Sequence, residues 1–262
     1  MGENGNLSRT LGTGQFMTGI EIALGLALLI GISLGVLGAG GSMITMPVLV
    51  YVAGVAPKQA VVMSLAIVGG TSLAGSYLHY RVGNFNVKAA SLLAISGAVG
   101  AYFGGMLTHL APPSVLMLCF AGLMLVVGTL TLFKKPEREG CGECRTWRCL
   151  AVGAILGTLT GFLGVGGGFL IVPALIFTAG VETKKAIGSS LAIISLNSAA
   201  GLLGQLRYTQ IDWRLTLFFL AASLAGMAFG LSIVRRVPAQ RLRIAFAFAL
   251  LLIGGFTAYR NL

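Results

Sequence analysis

The chain has 262 residues, of which 56% are hydrophobic and only 10% charged, and its mean hydropathy is +0.92. Soluble domains carry roughly 25% charged residues, so this composition excludes a soluble globular protein. The formal net charge of +11 would suggest nucleic acid in a soluble chain, but the basic residues here lie in short loops between apolar runs, where they set membrane orientation.

Residues 1–20 are polar and mixed, with Arg9, and no small-residue cleavage site follows cleanly, so they read as an N-terminal tail of the mature chain. An apolar run over about 22–37 then meets a glycine-rich break, Gly35-Val36-Leu37-Gly38-Ala39-Gly40-Gly41-Ser42, and a short run over 43–54 carries Pro47. Clustered glycine ends a helix, because glycine gives up the most backbone freedom on ordering. Twelve helical residues rise about 18 Å, short of a hydrocarbon core of about 30 Å. The two pieces therefore predict a hairpin of partial helices. Three runs follow, at 60–80, 87–108 and 113–133, each long enough to cross.

After a polar linker, Lys134–Arg148, the same order returns: 148–163, a break at Gly161-Phe162-Leu163-Gly164-Val165-Gly166-Gly167-Gly168, 169–180 with Pro173, then 186–206, 213–234 and 239–259. A constant offset of 126 aligns the halves without a gap. It pairs Pro47 with Pro173, Lys58 with Lys184, Ser64-Leu65-Ala66-Ile67 with Ser190-Leu191-Ala192-Ile193, Gly100 and Gly104 with Gly226 and Gly230, and Gly128 with Gly254. This is an internal duplication. The expected organisation is repeat one over 21–133, the linker over 134–148 and repeat two over 149–262. The expected fold is an all-α polytopic membrane protein whose two repeats each contain a glycine-broken hairpin and three transmembrane helices.

Basic residues predict how the repeats are oriented. If each hairpin re-enters or crosses twice, the cytoplasmic side holds Arg81, Lys88, the five basic linker residues, Lys184, Lys185, Arg235, Arg236, Arg241 and Arg243, thirteen in all. The outer side then holds five: Arg9, Lys58, Arg207, Arg214 and Arg260. That bias predicts repeats of inverted topology.

Irregular backbone is tolerated in a bilayer only where protein buries it or it lines a cavity, and many carriers place their site where two repeats meet with broken helices. The helix after each break begins near Ser42 or Gly168, with free N–H groups and the positive end of its dipole favouring an anion. The next helix adds paired polar residues, Ser64 with Ser190 and Thr71 with Asn197; Ser72, Ser189, Ser195 and Ser198 lie on the same helices. The candidate binding set is Gly38, Gly40, Gly41, Ser42, Ser64, Thr71, Gly164, Gly166, Gly167, Gly168, Ser190 and Asn197. None of the seven acidic residues falls centrally in an apolar run, where ion-coupled carriers often place a carboxylate. His79 and His109 sit at run ends and read as interfacial. Cys141-x-x-Cys144 and Cys149 share the linker region without a nearby histidine, so neither a metal nor a cofactor is expected.

The doubled Gly-Leu/Phe-Leu-Gly-x-Gly-Gly pattern with its proline resembles the TauE/SafE sulfite exporter family, as do the Lys58/Lys184 loops and the Ser64-Leu-Ala and Ser190-Leu-Ala stretches. The likeness runs over roughly 20–260. It implies a multi-pass carrier of the bacterial inner membrane that exports sulfite or a C2 organosulfonate such as sulfoacetate, with no enzymatic activity. The partners implied are the small anion and membrane lipid, with no nucleic acid; a homodimer is left open. Two alternatives come from other classes. A transmembrane thiol carrier would want cysteines paired across the repeats, but Cys119 aligns with Ala245. An intramembrane serine hydrolase would need a histidine near Ser189 or Ser190.

Overall fold

A computed structural model describes residues 25–33, 41–81, 83, 85–133, 146–181, 183–234 and 239–261. Most of the first glycine break, most of the linker and the N-terminal tail lie outside this set. The described elements are helical: α1 (25–33), α2 (Gly41–Pro47) running into a π-helical segment (Val48–Val52), α3 (Pro57–Arg81), α4 (Val87–Thr108), α5 (Pro113–Phe133), α6 (Thr146–Leu163), α7 (Gly168–Ala179), α8 (Thr183–Gln205), α9 (Trp213–Val234) and α10 (Ala239–Asn261). The apolar runs predicted these helices to within about three residues at most ends, a spread that helix-end assignment alone produces.

Local chemistry sets several boundaries. Pro57 and Pro113 open α3 and α5, where a missing N–H costs nothing. Asp212 caps α9 by accepting from the Leu215 N–H at 3.1 Å. Gly180, at φ 59°, closes α7, and the Val181 N–H returns to the Leu175 carbonyl at 3.2 Å. Pro47 cannot donate into its own helix, and the chain beyond it widens into the π segment, where the Ala53 N–H reaches the Val48 carbonyl at 3.0 Å. The matching Pro173 lies inside α7, which stays α-helical.

Five of these helices are long and apolar enough to cross a membrane. On α4 the exposed side chains Ile95, Val99, Phe103 and Leu107 recur every four residues, a stripe suited to lipid. The opposite face is glycine, and it packs backbone to backbone. A Cβ on Gly100 or Gly104 would run into the carbonyls of Ala154 or Thr158 in α6; one on Gly226 or Gly230 would run into those of Leu28 or Ile32 in α1. These two contacts are the same contact shifted by 126 in both partners. The fourth crossing element of each half thus packs on the hairpin of the other half.

The exchange recurs elsewhere. Gly128 of α5 faces Leu250 and Leu251 of α10, and Gly254 of α10 faces Met124 and Leu125 of α5. Gly75 meets Leu191, and Gly201 meets Leu65. In both pairs the residue numbers run in opposite directions, so α5 is antiparallel to its counterpart α10, and α3 to its counterpart α8.

Candidate functional site

The second hairpin turns its apex against α3 and α8, with Gly164 at Val61 and Gly166 at Val68, Ile194 and Ser198. α6 stops at Leu163, four residues turn the chain, and α7 starts at Gly168. Gly164, Gly166 and Gly167 have φ of 70°, 65° and 73°, a left-handed backbone that costs other residues roughly 1–2 kcal/mol each. Space is as restrictive as conformation. A Cβ on Gly164 would enter Val61, one on Gly167 would enter Thr160, and one on Gly166 would lie 2.7 Å from Ser198 Oγ and 2.8 Å from Val68. Val165 between them is fully buried.

A helix ending inside a bilayer leaves carbonyls that water cannot reach, and four of the carbonyls here have these partners. Thr160 accepts from the Val165 N–H at 3.2 Å. Gly161 accepts from Gln205 Nε2 at 3.0 Å, and Phe162 from Thr108 Oγ1 at 2.8 Å. Gly164 accepts from Ser64 Oγ, which also reaches the Val61 carbonyl at 2.8 Å. Ser64 therefore holds the hairpin. Thr108 and Gln205 were not singled out in the sequence, since each is a lone polar residue near a helix end, and only the fold shows which carbonyl it meets.

Three buried polar atoms on α3 and α8 have no hydrogen-bond partner, Ser72 Oγ, Ser198 Oγ and Asn197 Oδ1, and of these Ser198 Oγ lies at the apex. Ser72 and Ser198 are equivalents in the duplication, and both are fully buried. Ser198 faces Gly166, and its Cβ lies 3.0 Å from where a Cβ on Gly69 would be. The Asn197 amide lies against Gly97 of α4. An unpaired hydroxyl or amide in an apolar interior costs on the order of 1–3 kcal/mol, so these atoms are poised for a polar guest.

Of the other predicted residues, Thr71 bonds its own helix at Ile67 (2.8 Å) and Val68 (3.1 Å), and Ser190 bonds Ile187 at 2.7 Å. Gly168 begins α7, whose N-cap is Gly167 with no side-chain cap. Gly41 begins α2, and its carbonyl accepts from Thr45 Oγ1 at 3.0 Å. Gly38 and Gly40 lie outside the described residues, and only the backbone of Ser42 is described. The second apex thus gathers Ser64, Ser198 and Gly164 to Gly168; Asn197 lies against Gly97, and Thr71 and Ser190 turn their hydroxyls to their own helices.

Just past the end of α4, His109 stacks its ring on Tyr208, centroids 4.0 Å apart, while its carbonyl accepts from Lys58 Nζ at 2.9 Å. Cys149 is buried in the first turns of α6 and disulfide-bonded, and Cys119 is free and exposed. Cys141 and Cys144 lie outside the described residues. Among the described residues no group of three or more His, Cys, Asp or Glu is placed to hold a metal.

Apolar outward stripes, glycine-packed helices and a buried, broken helical hairpin describe a polytopic membrane protein, and the names of its family and relatives make it a transporter rather than an enzyme. The family model described as Sulfite exporter TauE/SafE matches residues 23–257, and the chain belongs to that family. Relatives carry the same class of name. A probable membrane transporter protein of Xylella fastidiosa is 32% identical over 238 residues, covering 88% of this chain and 91% of its own. The probable membrane transporter protein YdhB of Bacillus subtilis is 27% identical over 223 residues, covering 83% and 91%. A probable membrane transporter protein of Methanocaldococcus jannaschii is 26% identical over 257 residues, covering 90% and 95%. No solved structure matches the chain. The protein is a multi-pass protein of the cytoplasmic membrane.

Proposed function

We propose that this transporter exports a small sulfur oxyanion, sulfite or a C2 organosulfonate, through a central site built from its two broken-helix hairpins. The observation that carries the reading is the unpaired, buried Ser198 hydroxyl against Gly166 of the glycine apex. A hydroxyl donor with glycine-exposed backbone N–H groups suits an anion's oxygens and needs no lysine or arginine beside it. The family name adds sulfite to the candidates. Two inverted repeats complete the reading, supported by contacts that return with exchanged partners and by antiparallel α3/α8 and α5/α10. Equivalent but opposed halves give a site that opens to either side by related movements.

The test is efflux from proteoliposomes loaded with sulfite, sulfoacetate, sulfate or chloride. Saturable efflux of sulfite or sulfoacetate, lost in Gly167→Leu, supports the reading. Transport that is equal for all four anions, or unchanged in Gly167→Leu, overturns it.

A further inference from the structure

Gln205 and Thr108 hold the second hairpin with side chains that the duplication does not repeat. The offset of 126 puts His79 where Gln205 stands, and Val234, which has no donor, where Thr108 stands. Both side chains are buried, at 3% and 3% exposure. Gln205 Nε2 donates to the Gly161 carbonyl at 3.0 Å and to Thr108 Oγ1 at 3.2 Å; Thr108 Oγ1 donates to the Phe162 carbonyl at 2.8 Å. Thus the ends of α4 and α8 grip the Gly161 and Phe162 carbonyls in the last turn of α6, two to six residues from Gly164 to Gly167. In an apolar surround such carbonyls find no water, and a satisfied network there fixes one geometry.

We infer that Gln205 and Thr108 are a positioning pair that clamps the second hairpin to α4 and α8 and so sets the place of its glycine apex. The inference rests on that apex being a wall of the transport site. It assigns the pair no contact with the anion. Removing the donors frees the turn while the rest of the helical packing stands, so the effect is local.

Three variants test it: Gln205→Leu, Thr108→Val (close in volume, lacking only the donor) and Gln205→His, which brings in the residue of the first half with a ring nitrogen at similar reach. Hydrogen exchange is followed by mass spectrometry on peptides spanning 160–172 and, as control, 113–133 of α5. Gln205→Leu and Thr108→Val should speed exchange at 160–172 at least tenfold and leave α5 unchanged, with Gln205→His within about threefold of the parent. In sulfite efflux the same two variants should raise KM more than they lower the maximal rate, with Gln205→His restoring it. Equal acceleration in both peptides would mean general destabilisation and overturn the clamp, as would parental exchange in Gln205→Leu and Thr108→Val. If the parent itself moves no sulfite, the substrate reading fails, while the exchange comparison, which needs no substrate, still decides the clamp.

Discussion

Gly166 and Ser198 approach so closely that a methyl group on the glycine would lie 2.7 Å from the serine hydroxyl. That hydroxyl has no partner in the protein, nor does the equivalent Ser72 hydroxyl. Most buried serines lose stability on becoming alanine, because a hydrogen bond goes with the hydroxyl. Here no such bond exists to lose. Ser198→Ala and Ser72→Ala should leave thermal stability within about 0.5 kcal/mol of the parent. If the hydroxyls serve the anion, each should weaken sulfite binding by about 1 kcal/mol, roughly fivefold. Unfolding curves and binding isotherms on the same samples check both halves; lost stability with unchanged affinity would assign the hydroxyls to the scaffold. Gly166→Ala, strained at φ 65° and sterically blocked, should stop transport.

Ser64 should behave in the opposite way. Its hydroxyl is committed to the carbonyls of Val61 and Gly164. Ser64→Ala leaves the Gly164 carbonyl unsatisfied in the interior, a cost of about 1–3 kcal/mol. The expected outcome is a clear loss of thermal stability in detergent or lipid, larger than for Ser198→Ala. The reverse order would mean that the hairpin is not held there.

Topology gives a third prediction. Inverted repeats put residues 58 and 184 on opposite sides of the membrane, although the sequence offset makes them equivalents. Lys58 already lies beside His109, whose ring stacks on Tyr208, so these three ends share one side. Single cysteines at 58 and 184, in a background without native cysteines, should label from opposite faces of intact cells. Labelling from the same face would rule out inversion.

The fourth concerns energy. The sequence has no carboxylate in the middle of an apolar run, which motivates export driven by membrane potential alone. One charge gains about 2.3 kcal/mol per 100 mV, and a sulfite dianion leaving an inside-negative cell about twice that. Efflux from proteoliposomes should steepen with clamped potential and be indifferent to imposed proton or sodium gradients. Flux that follows the proton gradient and ignores potential would reject the idea and direct attention to His79.

Helix positions were legible in the sequence, because apolar runs bounded by Pro, Gly and basic residues report where a chain enters and leaves a bilayer. The duplication was legible too, and so was the second break, since three consecutive glycines demand an unusual backbone. Partners were not. Gly100 and Gly104 announce a close contact, but nothing in their spacing says that they meet α6 of the other half. Serines posed the same difficulty. Ser64, Ser72, Ser190 and Ser198 look alike along the chain, yet one grips the hairpin, one bonds its own helix and two have no partner. Those differences arise from which way each side chain faces after α3 and α8 pack.

The exchanged glycine contacts have a further consequence. An interface in which residue i of one half meets residue j of the other, and j of the first meets i of the second, is what two identical chains produce around a two-fold axis. Gly128 with Leu251 and Gly254 with Leu125 obey that rule, as do Gly100 with Ala154 and Gly226 with Leu28. Each half therefore carries both sides of its own seam. Severed at the linker, neither half has its fourth helix covered by its own residues, yet the two should reassemble when made together, and one half alone has the surface to pair with a second copy of itself. The covalent link between them sets stoichiometry and orientation; the shape of the assembly is already written in one repeat.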